Sequence, residues 1–353
     1  PDGLFVQWVQ LYEVDDRLVS SVLNALTPAF GDYAAWLSNE VDLIIVATPG
    51  KQLPPMDYER VLTGVLGPEL AYLGITRPEQ LAFRKVADAR LLRALGRLYG
   101  APANSDYYPL LSLEAPRTRF MRRAAGGFTG LPVLKQPVLE LLGIRESLPL
   151  DVDLPLSEFF AGDQRTVEAR HKAGFLLGTE AATGLDADER ARLIQFQALV
   201  AQCPADGLQL TELVERLGAL AGALVPYLPA DYLGEIWSQP PLKACREHNA
   251  VLDHAMALVT SLSTRDPDAM RDAGEAWFAL RGDGSHPEAQ ALDDTALIAL
   301  LSAEAADENW PALCATEARL GTGMPVPKNG PDLRALLSAL ASEEGAGCVR
   351  TSP

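Results

Sequence analysis

This sequence of 353 residues has few of the residues from which metal and cofactor sites are commonly built. It holds four histidines and four cysteines, and no two cysteines have the C-x-x-C spacing of a zinc or redox site. No G-x-G-x-x-G run is present, which argues against a phosphate-binding loop within these residues. No uncharged apolar run reaches the roughly 18–20 residues that cross a bilayer, and no basic stretch followed by an apolar run indicates a signal peptide.

The cysteines and histidines are placed in ways that favour neither a disulfide framework nor a metal site. His248 and His254 lie on one predicted helix, but residues six apart face different sides, whereas a helical metal site needs a separation of three or four. We therefore predict no metal ligands. The wide sequence spacing favours free thiols in a reducing compartment for the four cysteines, Cys203, Cys245, Cys314 and Cys348.

The charge is strongly negative and unevenly distributed. The net charge is −17, of which residues 1–150 contribute −1 (15 basic and 16 acidic) and residues 151–353 contribute −16. Such a chain is poorly suited to bind nucleic acid, which requires clustered Lys and Arg. One basic cluster stands just before this change in charge, at Arg117, Arg119, Arg122 and Arg123. It is typical of a solvated helix face or an inter-domain contact, and an acidic phospholipid surface or an anionic ligand is the alternative.

The chain opens with a strand, residues 4–11, in which both alternating faces are mostly apolar. That pattern is typical of an interior strand that is covered on both faces. An interior strand needs a neighbour on each side, and the residues that follow supply one side at most. We therefore expect the sequence to be the C-terminal remainder of a larger fold.

The next elements have the order expected at the end of a doubly wound α/β sheet. A helix capped by Asp15 or Asp16 follows the first strand, and two strands at 33–37 and 41–48 form a hairpin. We expect this hairpin to place one antiparallel strand inside the sheet edge, as in methyltransferase-type sheets. The predicted fold class is thus an α/β remnant followed by a mainly helical array.

Three segments together resemble the C-terminal half of spermidine synthase-like proteins, in particular a bacterial group whose members are often fused to membrane segments. They are Pro1–Tyr12 (PDGLFVQWVQLY), Val41–Thr48, and the stretch Asn104–Arg117 (NSDYYPLLSLEAPR). The likeness covers residues 1–124. It implies aminopropyl transfer from decarboxylated S-adenosylmethionine, as co-substrate of the intact parent, to a small-molecule amine. It also implies a cytoplasmic location, with the parent attached to the inner membrane if it is membrane-fused.

The resemblance also assigns individual residues, and here the chain departs from the family. Gln7 matches the strand-end glutamine that faces the acceptor pocket, while the acidic position two residues later is Val9. Asp106 is the second substrate-binding candidate. The family's glycine-rich loop and main catalytic aspartate are absent, so we expect this chain alone to bind no cofactor and to be inactive; its catalytic residues are unknown.

The polar residues singled out by the resemblance also have structural interpretations. Gln7 on a buried strand can hydrogen-bond a neighbouring loop. Asn104, Ser105 and Asp106 favour turns, because their side chains bond the local backbone, and with Pro109 they are predicted to fix a loop.

Residues beyond 150 read as helix after helix, separated by proline and glycine. The pattern resembles an antiparallel array of the tetratricopeptide type, although no 34-residue period is present. The predicted organisation is an α/β part (1–124), a linker (125–155), an acidic helical domain (156–344) and a disordered tail (345–353).

Two functions follow from this organisation. In the first, the chain is part of an aminopropyltransferase. In the second, the helical domain binds a protein partner and the sheet is a non-catalytic anchor. A homodimer is compatible with both functions.

Overall fold

The computed structural model describes residues 3–154, 160–179, 184–203, 207–282, 287–322, 324 and 332–348. Within these residues it contains a small sheet at the start of the chain and many helices. Pro1 and Asp2 of the first motif, and residues 349–353 of the predicted tail, lie outside the described part.

The sheet has four strands, each antiparallel to its neighbours, in the order β1-β3-β2-β4. Their bounds are β1 Phe5–Gln10, β2 Asp32–Leu37, β3 Asp42–Thr48 and β4 Lys85–Ala87. Because β3 is antiparallel to both β1 and β2, these two strands run in the same direction. The predicted insertion of the hairpin's second strand between two parallel strands is confirmed.

The position of β1 differs from the interior position that its sequence predicts. Among the described residues β1 pairs with β3 alone, from Phe5 opposite Ala47 to Gln10 opposite Asp42. Its apolar side chains are therefore not covered on both faces: Val6 is 60% exposed and Trp8 is 49% exposed. An apolar pattern indicates which side chains of a strand could be buried. Among the described residues, β1 has one neighbouring strand, and its side chains stay partly exposed.

The helices of the first half are mostly short, and several predicted bounds need correction. The apolar spacing over 56–66 predicts one helix, but the helix there is only Tyr58–Thr63, and a second short helix begins at Gly67. The apolar spacing over 78–87 predicts another helix, which ends at Ala82, and Lys85–Ala87 form β4 instead. Helix α6 was not predicted, because Pro116 lies inside it and apolar residues occur all around it. The first eight helices are α1 Asp16–Leu26, α2 Tyr58–Thr63, α3 Gly67–Tyr72, α4 Pro78–Ala82, α5 Ala89–Leu98, α6 Leu110–Phe120, α7 Gly126–Thr129 and α8 Val138–Leu141.

The second half follows its predicted helices closely. The apolar pattern over 241–263 predicts one helix, but the structure has two, because Asn249 caps the second by accepting from the Leu252 N–H. Short 3₁₀ helices occur at Leu131–Val133 and Pro287–Leu292. The remaining helices are α9 Ala161–Leu177, α10 Ala187–Gln202, α11 Gly207–Leu224, α12 Ala230–Trp237, α13 Pro240–Arg246, α14 Ala250–Thr264, α15 Pro267–Arg281, α16 Asp293–Ala306, α17 Trp310–Leu320 and α18 Leu333–Glu343.

Two hydrophobic cores organise these elements, and they do not follow the predicted boundaries. The first core holds the sheet, α1 and α5, and it also includes side chains of α16, α17 and α18 between Leu297 and Ala341. The second core holds side chains of α9 to α16, from Ala169 to Ala303, so α16 contributes to both cores. Residues 125–155, expected to form a linker, contribute buried apolar side chains such as Phe128 and Leu139 to the first core. They are packed structure rather than a connecting segment.

All four cysteines form disulfides, so the expectation of free thiols is wrong. Cys203 pairs with Cys245 and Cys314 pairs with Cys348, with Cα–Cα distances of 5.1 and 5.0 Å. Folding brings together residues 42 and 34 positions apart, which sequence spacing alone does not reveal. The second disulfide also corrects the predicted disordered tail: residues 345–348 are tied to α17, and Ala346 packs against the first core.

Candidate functional site

Gln7, the predicted acceptor-facing residue, lies in the middle of β1 opposite Ile45 of β3. Its side chain is half-buried, and its Nε2 donates to the backbone carbonyl of the adjacent Trp8 at 2.6 Å. The amide is thus oriented by its own strand rather than by another element. Its assignment to an acceptor pocket stays a prediction.

The predicted loop over residues 104–109 is held by hydrogen bonds at both ends. The Asn104 N–H donates to the Ser21 carbonyl on α1 at 2.9 Å, and Asn104 Oδ1 accepts from the Leu111 N–H at 3.0 Å. Ser105 Oγ accepts from the Tyr108 N–H at 3.1 Å. Asp106 is exposed in this turn, and Pro109 immediately precedes α6. Asn104 and Ser105 thus make loop-fixing contacts, and the pocket role of Asp106 stays a prediction.

Helix α6 joins this loop to the end of β1. Thr118 Oγ1 donates to the Glu13 carbonyl at 2.8 Å, and the Ala125 N–H donates to the Leu11 carbonyl at 2.8 Å. The end of α6 and the residues after it are therefore bonded to the turn that follows β1, although about 100 residues separate them.

The basic cluster lies along and after α6, and half of it is paired. Arg119 forms an ion pair with Glu13 at 3.1 Å, and Arg123 forms one with Asp15 at 2.9 Å. Both pairs hold the end of α6 against the start of α1. Arg117 and Arg122 are exposed.

The outward side of α6 exposes two large apolar side chains and an arginine. Leu110, Glu114 and Thr118, spaced four apart, turn toward α1, where Glu114 pairs with Arg17 at 2.9 Å. On the other side, Leu113 is 67% exposed and Phe120 is 89% exposed. We call Leu113, Arg117 and Phe120 the outer stripe of α6.

Two buried ion pairs, which the sequence did not indicate, lie where the residues before β4 meet α8 and α9. Arg84, just before β4, contacts Asp163 of α9 at 2.8 Å, and Arg145 contacts Glu140 of α8 at 3.0 Å. Aromatic rings cover both guanidinium groups: Arg84 lies 4.7 Å from the Phe160 ring centroid, and Arg145 stacks on Phe83 at 4.3 Å. The only sequence signal for this cluster was the presence of Arg84 within the mostly apolar stretch around β4.

Burial dominates the electrostatics of this cluster. It raises the pKa of Asp163 to about 6, although the positive charges of Arg84 and Arg145 oppose the shift. Burial also lowers the pKa of Arg84, against the opposing effect of Asp163. A second raised carboxyl is Asp16 at the start of α1, whose pKa burial raises to about 6 while the Gly127 N–H, 2.8 Å away, works in the other direction.

A cavity of about 780 Å³ opens between the helices of the second half and the segment that precedes α8. One wall is a charged stripe of α9, Arg165, Glu168 and Lys172, and another is the small-residue side of α11 around Gly218 and Gly222. Neither Gln7 nor Asp106 lines it. The charged lining is balanced, with Lys135, Arg165, Lys172 and Arg334 against Glu168, Glu215, Asp294 and Asp332.

The histidines of α13–α14 bond to the local backbone. The Nδ1 atoms of His248 and His254 each lie 2.8 Å from a carbonyl oxygen four residues earlier. Within the described residues, no group of three or more His, Cys, Asp or Glu side chains is arranged to hold a metal ion. None of the described helices combines the length and apolarity needed to cross a membrane.

Comparison of the sequence with protein-family models finds no match, and comparisons with curated proteins and with solved structures find none either.

Proposed function

We propose that this chain is an interaction scaffold, in which the sheet part is a non-catalytic anchor with an apolar contact surface and the helical array carries a second binding surface. The observation that supports this function is the distribution of exposed apolar side chains. Among the described residues, every large apolar side chain that is exposed lies between Leu4 and Leu150, except Ile194 of α10. Concentrated exposed apolar surface marks contact sites, so this distribution supports a contact surface on the anchor.

The composition of the exposed region favours a protein partner for the anchor. The loop and helix from Tyr107 to Arg123 expose Tyr, Phe, Leu, Met and Arg side chains and contain no lysine. Aromatic residues, Met and Arg are enriched in protein interfaces, and Lys is depleted there. The outer stripe of α6 is the central element of this region.

The helical half supplies the second surface. Its cavity is walled by charges of both signs on α9 and by the side of α11 around Gly218 and Gly222. A lining without net charge suits a mixed-charge polypeptide or small molecule better than a strongly charged ligand.

The scaffold function is tested by comparing partner capture between matched variants. Phe120→Glu places a charge on the outer stripe of α6, and Ile194→Glu places the same charge at the exposed apolar site of α10. We expect Phe120→Glu to abolish crosslinking to partners found with the wild type, and Ile194→Glu to preserve it. Equal behaviour of the two variants contradicts the anchor assignment.

Aminopropyl transfer is the second candidate function, and the strand order favours it. An antiparallel strand between two parallel strands is the arrangement expected at the end of a methyltransferase-type sheet. The Thr118–Glu13 hydrogen bond also joins α6 to the turn after β1, and both elements adjoin resembling segments. In this function a separate nucleotide-binding part holds decarboxylated S-adenosylmethionine and completes the sheet beside β1. Gln7 and Asp106 then contact the amine acceptor on the cytoplasmic side.

Calorimetry with putrescine separates the two candidates. Both expect this chain alone to bind no adenosyl ligand, whereas the candidate acceptor contacts Gln7 and Asp106 lie within it. The scaffold proposal expects no putrescine binding. Micromolar binding that Gln7→Ala weakens contradicts the scaffold proposal and supports the transferase.

A further inference from the structure

A small pocket lies among α9, α10, α12 and α13, in the second half of the chain. Its volume is about 140 Å³. It shares no lining residue with the charged cavity beside α11. Six buried apolar side chains, each 7% exposed or less, line it: Leu176, Phe196, Val200, Ile236, Trp237 and Leu242. The rest of the lining is more exposed and includes two glutamines, Gln197 and Gln239.

The chemistry of this lining favours an apolar occupant. None of the described residues that line the pocket is charged. The indole N–H of Trp237 donates to Ser263 Oγ at 2.9 Å, and the side-chain N–H of Gln239 donates to the Leu176 carbonyl at 2.9 Å. A buried water needs about two to four polar partners, and an ion needs an opposite charge. The buried wall supplies neither.

The helices around the pocket are tied to one another and to their neighbours. The Cys203–Cys245 disulfide joins the residue after α10 to α13. The hydrogen bond from Gln239 joins the residue before α13 to α9, and the hydrogen bond from Trp237 joins α12 to α14. Because its walls are fixed in this way, the pocket needs little rearrangement to admit a ligand, which favours binding.

We propose that this pocket binds one uncharged molecule with a single aromatic ring. A cavity of about 150 Å³ lined by Leu, Ile and Phe is large enough for benzene, so the volume here suits a ring of about six to seven carbon atoms. Phe196 and Trp237 supply aromatic surfaces, against which another ring packs well. An ionised substituent would lose its hydration without gaining a partner, so charged analogues are excluded.

This ligand site goes beyond the scaffold function and does not depend on it. Neither the outer stripe of α6 nor the charged cavity contributes a residue to the pocket. A failure to bind an aromatic ligand would therefore refute the ligand site alone.

An NMR titration with toluene tests both the affinity and the location of the ligand. The chain has five tryptophans, whose indole N–H signals are separate probes, and Trp237→Phe identifies the signal of Trp237. We expect saturable binding with a dissociation constant of about 1 mM or lower, and the largest shift at Trp237. Benzoate, which carries a negative charge on the same ring, should bind roughly tenfold more weakly or less. The absence of saturable toluene binding, equal binding of benzoate, or a larger shift at another tryptophan overturns the proposal.

Two matched substitutions on α10 test which residues form the site. Ala201 lines the pocket, whereas Ala198, on the same helix, is also exposed and does not line it. We expect Ala201→Phe to weaken toluene binding by roughly tenfold or more, because its ring takes up space in the pocket. Ala198→Phe should bind toluene as the wild type does, and both variants should keep the circular dichroism spectrum of the wild type. Equal toluene binding by the two variants overturns the assignment of the site, and the shift at Trp237 tests it in the wild type even if Ala201→Phe does not fold.

Discussion

Replacing Arg84 by Met should destabilise the protein more than any change at a surface ion pair. Arg84 donates to Asp163 at 2.8 Å and to the Ser38 carbonyl at 2.6 Å, and the side chains of the pair are only 11% and 3% exposed. Removing the guanidinium leaves the Asp163 carboxylate buried without its nearest positive charge. Breaking a buried pair in this way costs about 3–5 kcal/mol in the free energy of unfolding.

The size of this loss should depend on pH in a defined direction. The pKa of Asp163 is already raised to about 6 by burial, and without Arg84 it rises further. A carboxyl whose folded pKa lies above its unfolded value binds more protons in the folded state, so stability falls as pH rises through the folded pKa. We therefore expect Arg84→Met to be more damaging at pH 8 than at pH 5.5.

Urea denaturation followed by tryptophan fluorescence, at both pH values, measures these effects. Arg319→Met is the matched control, since its pair with Glu275 is half exposed and should contribute less than about 1 kcal/mol. The double variant Arg84→Met with Asp163→Leu should regain most of the lost stability, because an apolar pair leaves no buried charge. A double variant as unstable as the single one, or a loss independent of pH, would refute the reasoning.

Three further predictions address other parts of the molecule. Between pH 4 and pH 7, Asp16→Asn should gain about 2–3 kcal/mol of stability relative to wild type, because burial raises the pKa of Asp16 to about 6 and the wild type loses folded stability as that carboxyl ionises. Thermal melts of both proteins over a pH series measure this difference, and parallel stability curves contradict it. Cys203→Ser should lower stability by about 3–4 kcal/mol, the effect of a disulfide that closes a loop of this length, and adding reductant to the variant should have less effect than on wild type. Gln7→Ala should change the stability of this chain by less than about 0.5 kcal/mol, since the Gln7 side chain bonds the adjacent Trp8 carbonyl, and a large stability loss would identify Gln7 as structural. In a complete transferase, the same change should lower kcat/KM for the acceptor by an amount equivalent to about 1–2 kcal/mol.

Local elements of this fold could be predicted from the sequence because their signals are local. Asp15 caps α1 by accepting from the Leu18 N–H, and Asp88 does the same for α5 with the Leu91 N–H. The insertion of β3 followed from the order of strands and the turn before Val41. Prolines and glycines located most breaks between the later helices.

Long-range packing could not be predicted in the same way. Cys314 and Cys348 carry no spacing signal, and their pairing depends on how α17 lies against the end of the chain. Phe128 and Leu139 looked like connecting residues because the helices that contain them are only four residues long. The charge difference at residue 150 likewise describes the composition of the surface. It does not reveal that residues on both sides of this position contribute to the first core.

The candidate site was predictable only in part. The sequence identified Asn104 and Ser105 as loop formers, and their contacts agree with that role. It did not indicate the Arg84–Asp163 pair, since two charged residues 79 positions apart carry no pattern that links them.

The closing of the first core by Leu297–Ala341 has a consequence for biosynthesis. Helix α18 packs on α5, so during synthesis the sheet lacks part of its cover until the residues up to Ala341 have emerged. At about 5–20 residues per second, the ribosome needs on the order of ten seconds to travel from Phe160 to Leu297. The first core is therefore completed only after translation has passed Ala341.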